Sequence, residues 1–326
     1  MLSEFSLIDR FFARRARATP RAPLGIGDDC ALLTPRAGEM LAISTDMLVE
    51  GRHFLPDVDP YALGHKALAV NLSDLAAMGA KPLAFTLALA LPQAQEDWLS
   101  AFSEGMFEIA ERFDCELVGG DTTSGPLNIC ISVFGEVLPQ HALRRDAAQP
   151  GDDIWISGTL GDARAGLGVL RGEWTAGDEE AAALRKALER PEPRVALGIA
   201  LRGHARAALD ISDGLAGDLL HILERSQMSA HVDVDAVPRS AALRRLAADV
   251  QRRCTLAGGD DYELCFTAPI SARSAIEAAG KSVAVPVTRI GTISALQAGV
   301  PAIVWHDAAG TPLNLTLQGF DHFHAD

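Results

Sequence analysis

A recurring grammar of hydroxyls, carboxylates and glycines runs through this chain. It appears as Gly27-Asp28-Asp29, Ser44-Thr45-Asp46, Asn71-Leu72-Ser73-Asp74, Gly119-Gly120-Asp121, Asp210-Ile211-Ser212-Asp213-Gly214 and Gly258-Gly259-Asp260-Asp261. Side chains of this type are hard oxygen ligands suited to Mg²⁺. The neighbouring glycines let a backbone or a phosphate come close. Each string also has a plainer reading. Ser44-Thr45-Asp46 could turn the chain or cap a helix, Asp74 could be a solvated helix residue, Asp121 a turn residue and Asp213 an N-cap. Asp210 is harder to dismiss, because it ends the apolar run Ala207-Ala208-Leu209, where a desolvated carboxylate needs a cation or donors. Taken together, the acids are expected to converge as a cage for two or more Mg²⁺ ions.

Stepping outward to the whole chain, 326 residues with 48% hydrophobic and 22% charged content suit two folded domains. Asp and Glu outnumber Lys and Arg by 43 to 29, for a net charge of −14. Such a surface repels nucleic acid and anionic lipid, and a nucleotide would have to arrive with metal ions. Cys30, Cys115, Cys130, Cys254 and Cys265 are scattered without a C-x-x-C pair, so they read as small reduced core residues. No stretch reaches the ~18–20 apolar residues of a membrane span. The first twenty residues carry arginines, but also Glu4 and Asp9. Leu2, Phe5, Ile8 and Phe12 predict an amphipathic helix rather than a targeting peptide, and the expected location is the cytoplasm.

The elements that must position the acids alternate without strict βαβ order. The first half reads as strands over 24–33, from Leu41 to its end at Ser44-Thr45-Asp46, and over 85–91, 116–118 and 127–137, with helices over 61–78 and 96–113. Gly79 and Pro82 close the first of these helices. Gln149-Pro150-Gly151-Asp152-Asp153 reads as a turn and the domain boundary, giving domains 1–148 and 149–326. The second half reads as strands over 154–157, 207–210, 230–234, 261–267, 283–286, 290–293 and 303–306. Its helices fall over 163–171, 179–189, 194–202 and 215–226. Each half contains an apolar strand expected to deliver a Gly-Gly-Asp. The fold class is α+β.

The usual phosphate motifs are missing. Gly25-x-Gly27 lacks the third glycine of a dinucleotide fingerprint, since position 30 is Cys30. Gly280-Lys281-Ser282 lacks the earlier glycine of a P-loop, since position 275 is Ala275. The protein-kinase signatures are also absent. Any ATP chemistry here needs another architecture. His53 reads equally as a half-buried polar residue or a functional one. Arg144 and Arg145 read locally as a solvated pair.

The strings GIGDDCALL, AISTDMLVEGRHF, ALAVNLSDLAAMGAKP, GGDTTSGP, ISGTLGDARAGL, DISDGLAGDL and GGDDYELCFT, ending in GFDHF, lie in this order between residues 24 and 323. Together they resemble the thiamine-monophosphate kinase family, within the superfamily of aminoimidazole ribonucleotide synthetase. The resemblance implies a two-domain α+β fold of the aminoimidazole ribonucleotide synthetase type, with no P-loop and no Rossmann fingerprint. The N-terminal domain (1–148) would bind ATP and Mg²⁺ and pair through its sheet in a homodimer. The C-terminal domain (149–326) would complete the cleft. By motif, Asp29, Ser44, Thr45, Asp46, Asp74, Asp121, Asp210 and Asp213 look like Mg²⁺ ligands. Gly120, Asp121, Arg145 and Ser212 look like ATP contacts, and His53, Asp260 and Phe320 look like substrate contacts. The family commonly has glutamate where this chain has Asp260, and tyrosine or tryptophan where it has Phe320.

The implied reaction is transfer of a phosphoryl group from ATP to thiamine monophosphate, giving ADP and thiamine diphosphate. The acceptor is a phosphate oxygen, already ionised near neutral pH, so no general base and no catalytic residue of that kind is expected. The difficulty is repulsion between two polyanions, which several Mg²⁺ ions would relieve while aligning an in-line transfer. The rivals are another enzyme of the superfamily with a different acceptor, a metal-dependent phosphatase, and a nucleotide sensor without turnover. The chain has no reactive cysteine in an N-terminal glycine-rich segment and ends His324-Ala325-Asp326. It therefore lacks the marks of a selenophosphate synthetase and of the hydrogenase maturation factor.

Overall fold

This computed structural model of the chain describes residues 4–296, 299–315 and 317. The chain folds into two compact units, one of Met1–Leu75 and Ala80–Gln140, the other of Ala76–Gly79 and His141–Asp326.

The first unit opens with α1 (Glu4–Ile8), which runs into a π-helical turn over Asp9–Ala13. Of the expected stripe Leu2, Phe5, Ile8 and Phe12, Phe12 is buried and Ile8 half-buried, and Leu7 and Phe11 are buried beside them. Leu2 lies outside the described residues. The expected strand over 24–33 does not form; only the isolated bridges Leu24–Leu32 and Ile26–Asp28 are present, because Gly27, at φ +114°, turns the chain back on itself.

The sheet of this unit has the order β1-β4-β2-β3, from β1 (Met40–Val49), β2 (Lys81–Leu91), β3 (Glu116–Ser124) and β4 (Asn128–Val137). β4 is antiparallel to both neighbours, and β2 and β3 are parallel. β3 runs past the expected end at Val118, so Gly119-Gly120-Asp121 lies inside a strand. A Cβ on Gly120 would fall 1.9 Å from the Leu87 carbonyl oxygen, so only glycine allows β3 to lie this close to β2.

Two helices cover one face. α2 (Pro60–Ala77) starts with proline at its first position, and the Asp59 carboxylate accepts the Ala62 N–H at 2.9 Å. It stops at Gly79, which takes φ +63° while the Ala80 N–H donates to the Leu75 carbonyl. α3 (Glu96–Arg112) buries Leu99, Phe102, Met106 and Ile109. The two helices touch through glycines. A Cβ at Gly64 would sit 2.0 Å from the Phe102 carbonyl oxygen, and one at Gly105 would sit 1.9 Å from that of Tyr61.

The second unit holds a six-stranded sheet of order β10-β7-β9-β5-β8-β6. Its strands are β5 (Asp153–Ser157), β6 (Ala208–Asp210), β7 (Met228–Asp233), β8 (Leu264–Ala268), β9 (Val287–Ala295) and β10 (Ile303–His306). Around it lie α4 (Asp162–Leu170), α5 (Asp178–Glu189), α6 (Val195–Ala200), α7 (Leu215–Ser226), α8 (Ala248–Ala257) and α9 (Arg273–Ser282). Ile154, Ile156, Leu209, Leu219, Ile222 and Val232 build the core.

Four readings need correction here. Residues 283–286 form the turn after α9, with Ala284 at φ +55°, and the strand starts at Val287. Helices α8 and α9 carry enough polar residues to have passed as loop in the sequence. Gly258-Gly259-Asp260 follows a helix, α8, and not an apolar strand. Asp153, expected in a turn, is instead buried at the start of β5. It is held by Arg273 at 2.6 and 2.8 Å and by Arg289 at 3.4 Å, while neighbouring Asp152 meets Arg206 at 2.6 Å.

All five cysteines are free thiols. Cys115, Cys254 and Cys265 are buried, as expected, and burial pushes the Cys254 thiol up to about 12. Cys30 departs from that reading and is exposed. Iodoacetamide is therefore expected to alkylate native protein first at Cys30, with the three buried thiols reacting only after denaturation, as peptide mass spectrometry would show. Gly105→Ala should overpack the helix contact and lower stability to urea by about 1–3 kcal/mol; an unchanged midpoint would show that the helices can move apart freely.

Candidate functional site

In the first unit Ser44, Thr45 and Asp46 lie on edge strand β1, Asp121 on the opposite edge strand β3, Asp74 on α2, and Asp29 and His53 in turns. Along β1 the side chains alternate. Leu41, Ile43, Thr45 and Met47 are exposed, while Ser44 and Asp46 are more covered. On the covered side, Ser44 donates its hydroxyl to the Asp74 carboxylate of α2, and the Asp46 N–H donates to the Asn71 side-chain oxygen at 3.1 Å. Asp74, which the sequence also allows as a solvated helix residue, thus meets β1 directly, as does Asn71. The Thr45 hydroxyl lies on the other face, 2.7 Å from that of Ser132. Strand alternation therefore separates Thr45 from the two side chains beside it.

Cross-strand register extends this separation. Asp46 lies in the row Asp46–Ile131–Leu87–Gly120, whose middle members are buried. Asp121 lies in the next row, Met47–Cys130–Ala88–Asp121, on the exposed face. With three strand spacings between β1 and β3, the two acids are about 14 Å apart within one chain. Asp29 is exposed in the turn, and its N–H donates to the Asp28 carboxylate at 2.9 Å. His53 follows β1 in a turn closed by the Gly51 N–H on the Phe54 carbonyl. Its Nδ1 accepts the Val49 N–H at 3.0 Å, which puts the proton of a neutral ring on Nε2.

In the second unit, Asp210 ends β6 and is buried. Ser212, Asp213 and Gly214 follow in a loop before α7. The N-cap position is Gly214, at φ +106°, so Asp213 does not cap the helix. Asp218, in the first turn of α7, instead reaches back to the preceding loop, where its carboxylate accepts the N–H groups of Ser212 at 3.1 Å and Asp213 at 3.0 Å. Burial, with the Asp213 charge adding to it, pushes the Asp218 carboxyl up to about 7, although the charge of Arg145 opposes the shift. Asp218 escaped the motif reading. The signal was an acid inside the apolar stripe Leu215–Leu219–Ile222. Arg144 is engaged by Asp146 at 2.5 and 2.9 Å, and the Arg145 carbonyl accepts the Ser226 hydroxyl at 2.8 Å.

Asp260 sits in the loop after α8, at φ +69°. Its neighbour Asp261 turns inward, and its carboxylate accepts the Gly161 N–H at 2.7 Å and that of Ala163 at the start of α4. Burial, the charges of Asp162 and Glu263 adding to it, holds the Asp261 carboxyl well above the ordinary carboxylate range. Glu263 is buried against Arg194, at 2.7 Å through Nε, and against the Ser157 hydroxyl at 2.5 Å. Phe320 lies outside the described residues.

Among the described residues, no three His, Cys, Asp or Glu side chains group closely enough to hold a metal ion. The acids expected to converge do not form such a group among the described residues of one chain. The donor set still fits Mg²⁺. It is all hard oxygen, it includes a buried carboxylate at a strand end, and Mg²⁺ takes one or two carboxylates with waters and substrate phosphates rather than an all-protein cage.

The two halves of the chain match known domains. Residues 27–137 match the AIR synthase related protein N-terminal domain, and residues 149–301 match its C-terminal domain. The thiamine-monophosphate kinase of Salmonella typhimurium is 48% identical over 98% of both chains, and that of Haemophilus influenzae is 44% identical over 99% of this chain and 98% of its own. The chain belongs to the thiamine-monophosphate kinase family. It is therefore a phosphotransferase, with the two-domain α+β fold of that family. The solved thiamine-monophosphate kinase from Stenotrophomonas maltophilia K279a has 48% identity, covers 96% of this chain and 98% of its own, and superposes with a TM-score of 0.86. A structure of AaThiL complexed with AMPPCP and TMP has 30% identity, covers 99% of this chain and 97% of its own, and gives a TM-score of 0.76. No described helix is long and apolar enough to cross a membrane.

The raised Asp261 carboxyl gives a pH prediction within this family fold. The folded chain binds that proton more tightly than the unfolded chain. The group therefore stabilises most below the ordinary carboxylate pKa, and the contribution is lost as pH rises above it. Asp261→Asn keeps an oxygen for the two N–H groups and removes the titration. Between about pH 5 and about pH 8 its Tm should fall less than that of the parent protein; parallel melting curves would contradict the buried charge.

Proposed function

We propose that this kinase transfers the γ-phosphoryl group of ATP directly, in line, to the phosphate of thiamine monophosphate, yielding thiamine diphosphate. The observation that carries this reading is near full-length identity to named thiamine-monophosphate kinases, combined with likeness to a structure complexed with AMPPCP and TMP. Bound Mg²⁺, several ions of it, would neutralise the two polyanions and polarise the transferring group.

The chain's own residues have the following parts. In the first unit Asp29, Ser44, Asp46, Asp74 and Asp121 offer oxygen to metal ions, and Thr45 offers only its backbone oxygen on that side. In the second unit Asp210 and Asp213 do the same. Gly120 lets the nucleotide phosphates approach the backbone beside Asp121, Ser212 adds a hydroxyl, and Arg145 steadies the phosphates by bidentate contact. His53 donates from Nε2 to the acceptor, with Asp260 and Phe320 as its other contacts. The attacking phosphate oxygen is already ionised, so no side chain has to remove a proton.

The same reading includes a homodimer. Met40, Leu41, Ile43 and Met47 expose 60, 39, 62 and 52% of their surface on edge strand β1. An apolar patch on an edge strand is an unprotected pairing surface. In a two-fold pair joined through this sheet face, β1 of one copy can lie along β3 of the other. That arrangement would bring Asp46 and Asp121 together, which one chain alone does not do. The cytoplasm is the proposed location, with no nucleic-acid or membrane partner.

The deciding measurement is product analysis from ATP and Mg²⁺ with thiamine monophosphate, with thiamine, and with no acceptor. ADP and thiamine diphosphate forming together, only with the monophosphate, is the expected result. ADP and free phosphate without an acceptor would instead mean hydrolysis. Asp46→Ala and Asp210→Ala should each lose more than about 100-fold in kcat/KM while staying folded, beyond the loss typical of outer-shell partners; full activity in either would sink the metal assignment.

A further inference from the structure

The loop Gly258–Tyr262 is fastened to the Ile211–Gly214 loop along its whole length. The Asp260 N–H donates to the Ser212 carbonyl and the Tyr262 N–H to the Ile211 carbonyl, both at 2.8 Å, while the Ile211 N–H returns a bond to the Glu263 carbonyl at 2.8 Å. The two backbones are close enough that a Cβ on Gly259 would lie 2.2 Å from the Ser212 carbonyl oxygen. The strap forces two non-glycine residues into left-handed backbone, Asp260 at φ +69° and Tyr262 at φ +52°. Such conformations persist only where the surroundings over-determine them. The surroundings do so here: Asp261 is anchored at the start of α4, and Glu263 is anchored on Arg194 and Ser157.

Between these two anchors the chain places the Tyr262 hydroxyl 3.0 Å from the Asp260 Oδ1, to which it donates. The tyrosine ring is 8% exposed, so it is a fixed support for a more exposed carboxylate. We propose that Tyr262 is a positioning residue for the acceptor: its hydroxyl holds the Asp260 carboxylate in one rotamer. Acceptor affinity would then depend on Tyr262 and nucleotide affinity would not. The inference rests on the reading above, in which Asp260 meets the acceptor. The chemistry is complementary, since thiamine monophosphate carries a thiazolium cation and an aromatic amino group. A carboxylate already ordered loses less rotamer freedom when it meets either of them.

The test is Tyr262→Phe, which removes one oxygen and keeps the buried ring. Calorimetry on the full chain with Mg²⁺ and a non-hydrolysable ATP analogue would give Kd for thiamine monophosphate, with the analogue's own Kd measured separately. The expected result is acceptor binding weakened about tenfold, as for a lost hydrogen bond to a charged group. Analogue affinity and Tm should be unchanged. In an Asp260→Ala background the second substitution should add nothing. Unchanged acceptor binding, equal weakening in both backgrounds, or a parallel loss of nucleotide binding would each overturn the proposal. Parent protein that binds and turns over thiamine monophosphate while Tyr262→Phe matches it defeats the positioning role alone. A parent that does neither defeats the reading beneath it as well.

Discussion

Taking a carboxylate out of water costs several kcal/mol unless donors or a cation receive it, and the second unit is arranged around that cost. Asp218 receives two backbone N–H groups, Asp261 caps the start of a helix across the chain, and Glu263 takes a guanidinium and a hydroxyl. Asp152 and Asp153 meet three arginines at the start of β5. Asp261, Glu263, Asp152 and Asp153 tie together segments far apart in sequence, while Asp218 closes the loop just before its own helix. The loops that carry Asp213 and Asp260 are therefore tied to the frame by hydrogen bonds. A chain with net charge −14 can keep these acids buried only because protein donors receive them.

Close approach of backbone to backbone is the second constraint. Gly64 and Gly105 set the α2–α3 contact, Gly120 the β2–β3 contact and Gly259 the contact between two loops of the second unit. At the last two, the glycine stands beside an acid assigned to ligand or substrate. Side chains there would push apart segments whose backbones now lie in contact. The repeated glycine–acid pairs in the sequence are thus two requirements in one string, a tight backbone and a nearby charge.

Local signals carried much of the fold. Gly79 bounded the end of α2 to within a residue or two, and the β-branched run over 127–137 declared β4 to within one residue. The signals failed where polar residues hide a helix, as in α8, and where charge is buried, as at Asp153. They failed again at Asp218, because an acid in an apolar helical stripe looks like a tolerated exception until its two N–H donors are seen. Thr45 shows a different limit. Adjacent residues in a strand point to opposite faces, so a string of three ligand types cannot present three side chains to one site.

The sequence alone determined the family, the two-domain α+β class and the set of oxygen donors, because motif order and residue type are properties of the chain as written. The tertiary structure decided which acids are spent on the frame. It set Asp46 and Asp121 on opposite sheet edges, joined Ser44 to Asp74, and turned Asp261 inward while Tyr262 came under Asp260. Strand order, register and burial fix these outcomes, and each depends on contacts between residues tens to hundreds of positions apart, which no local pattern encodes.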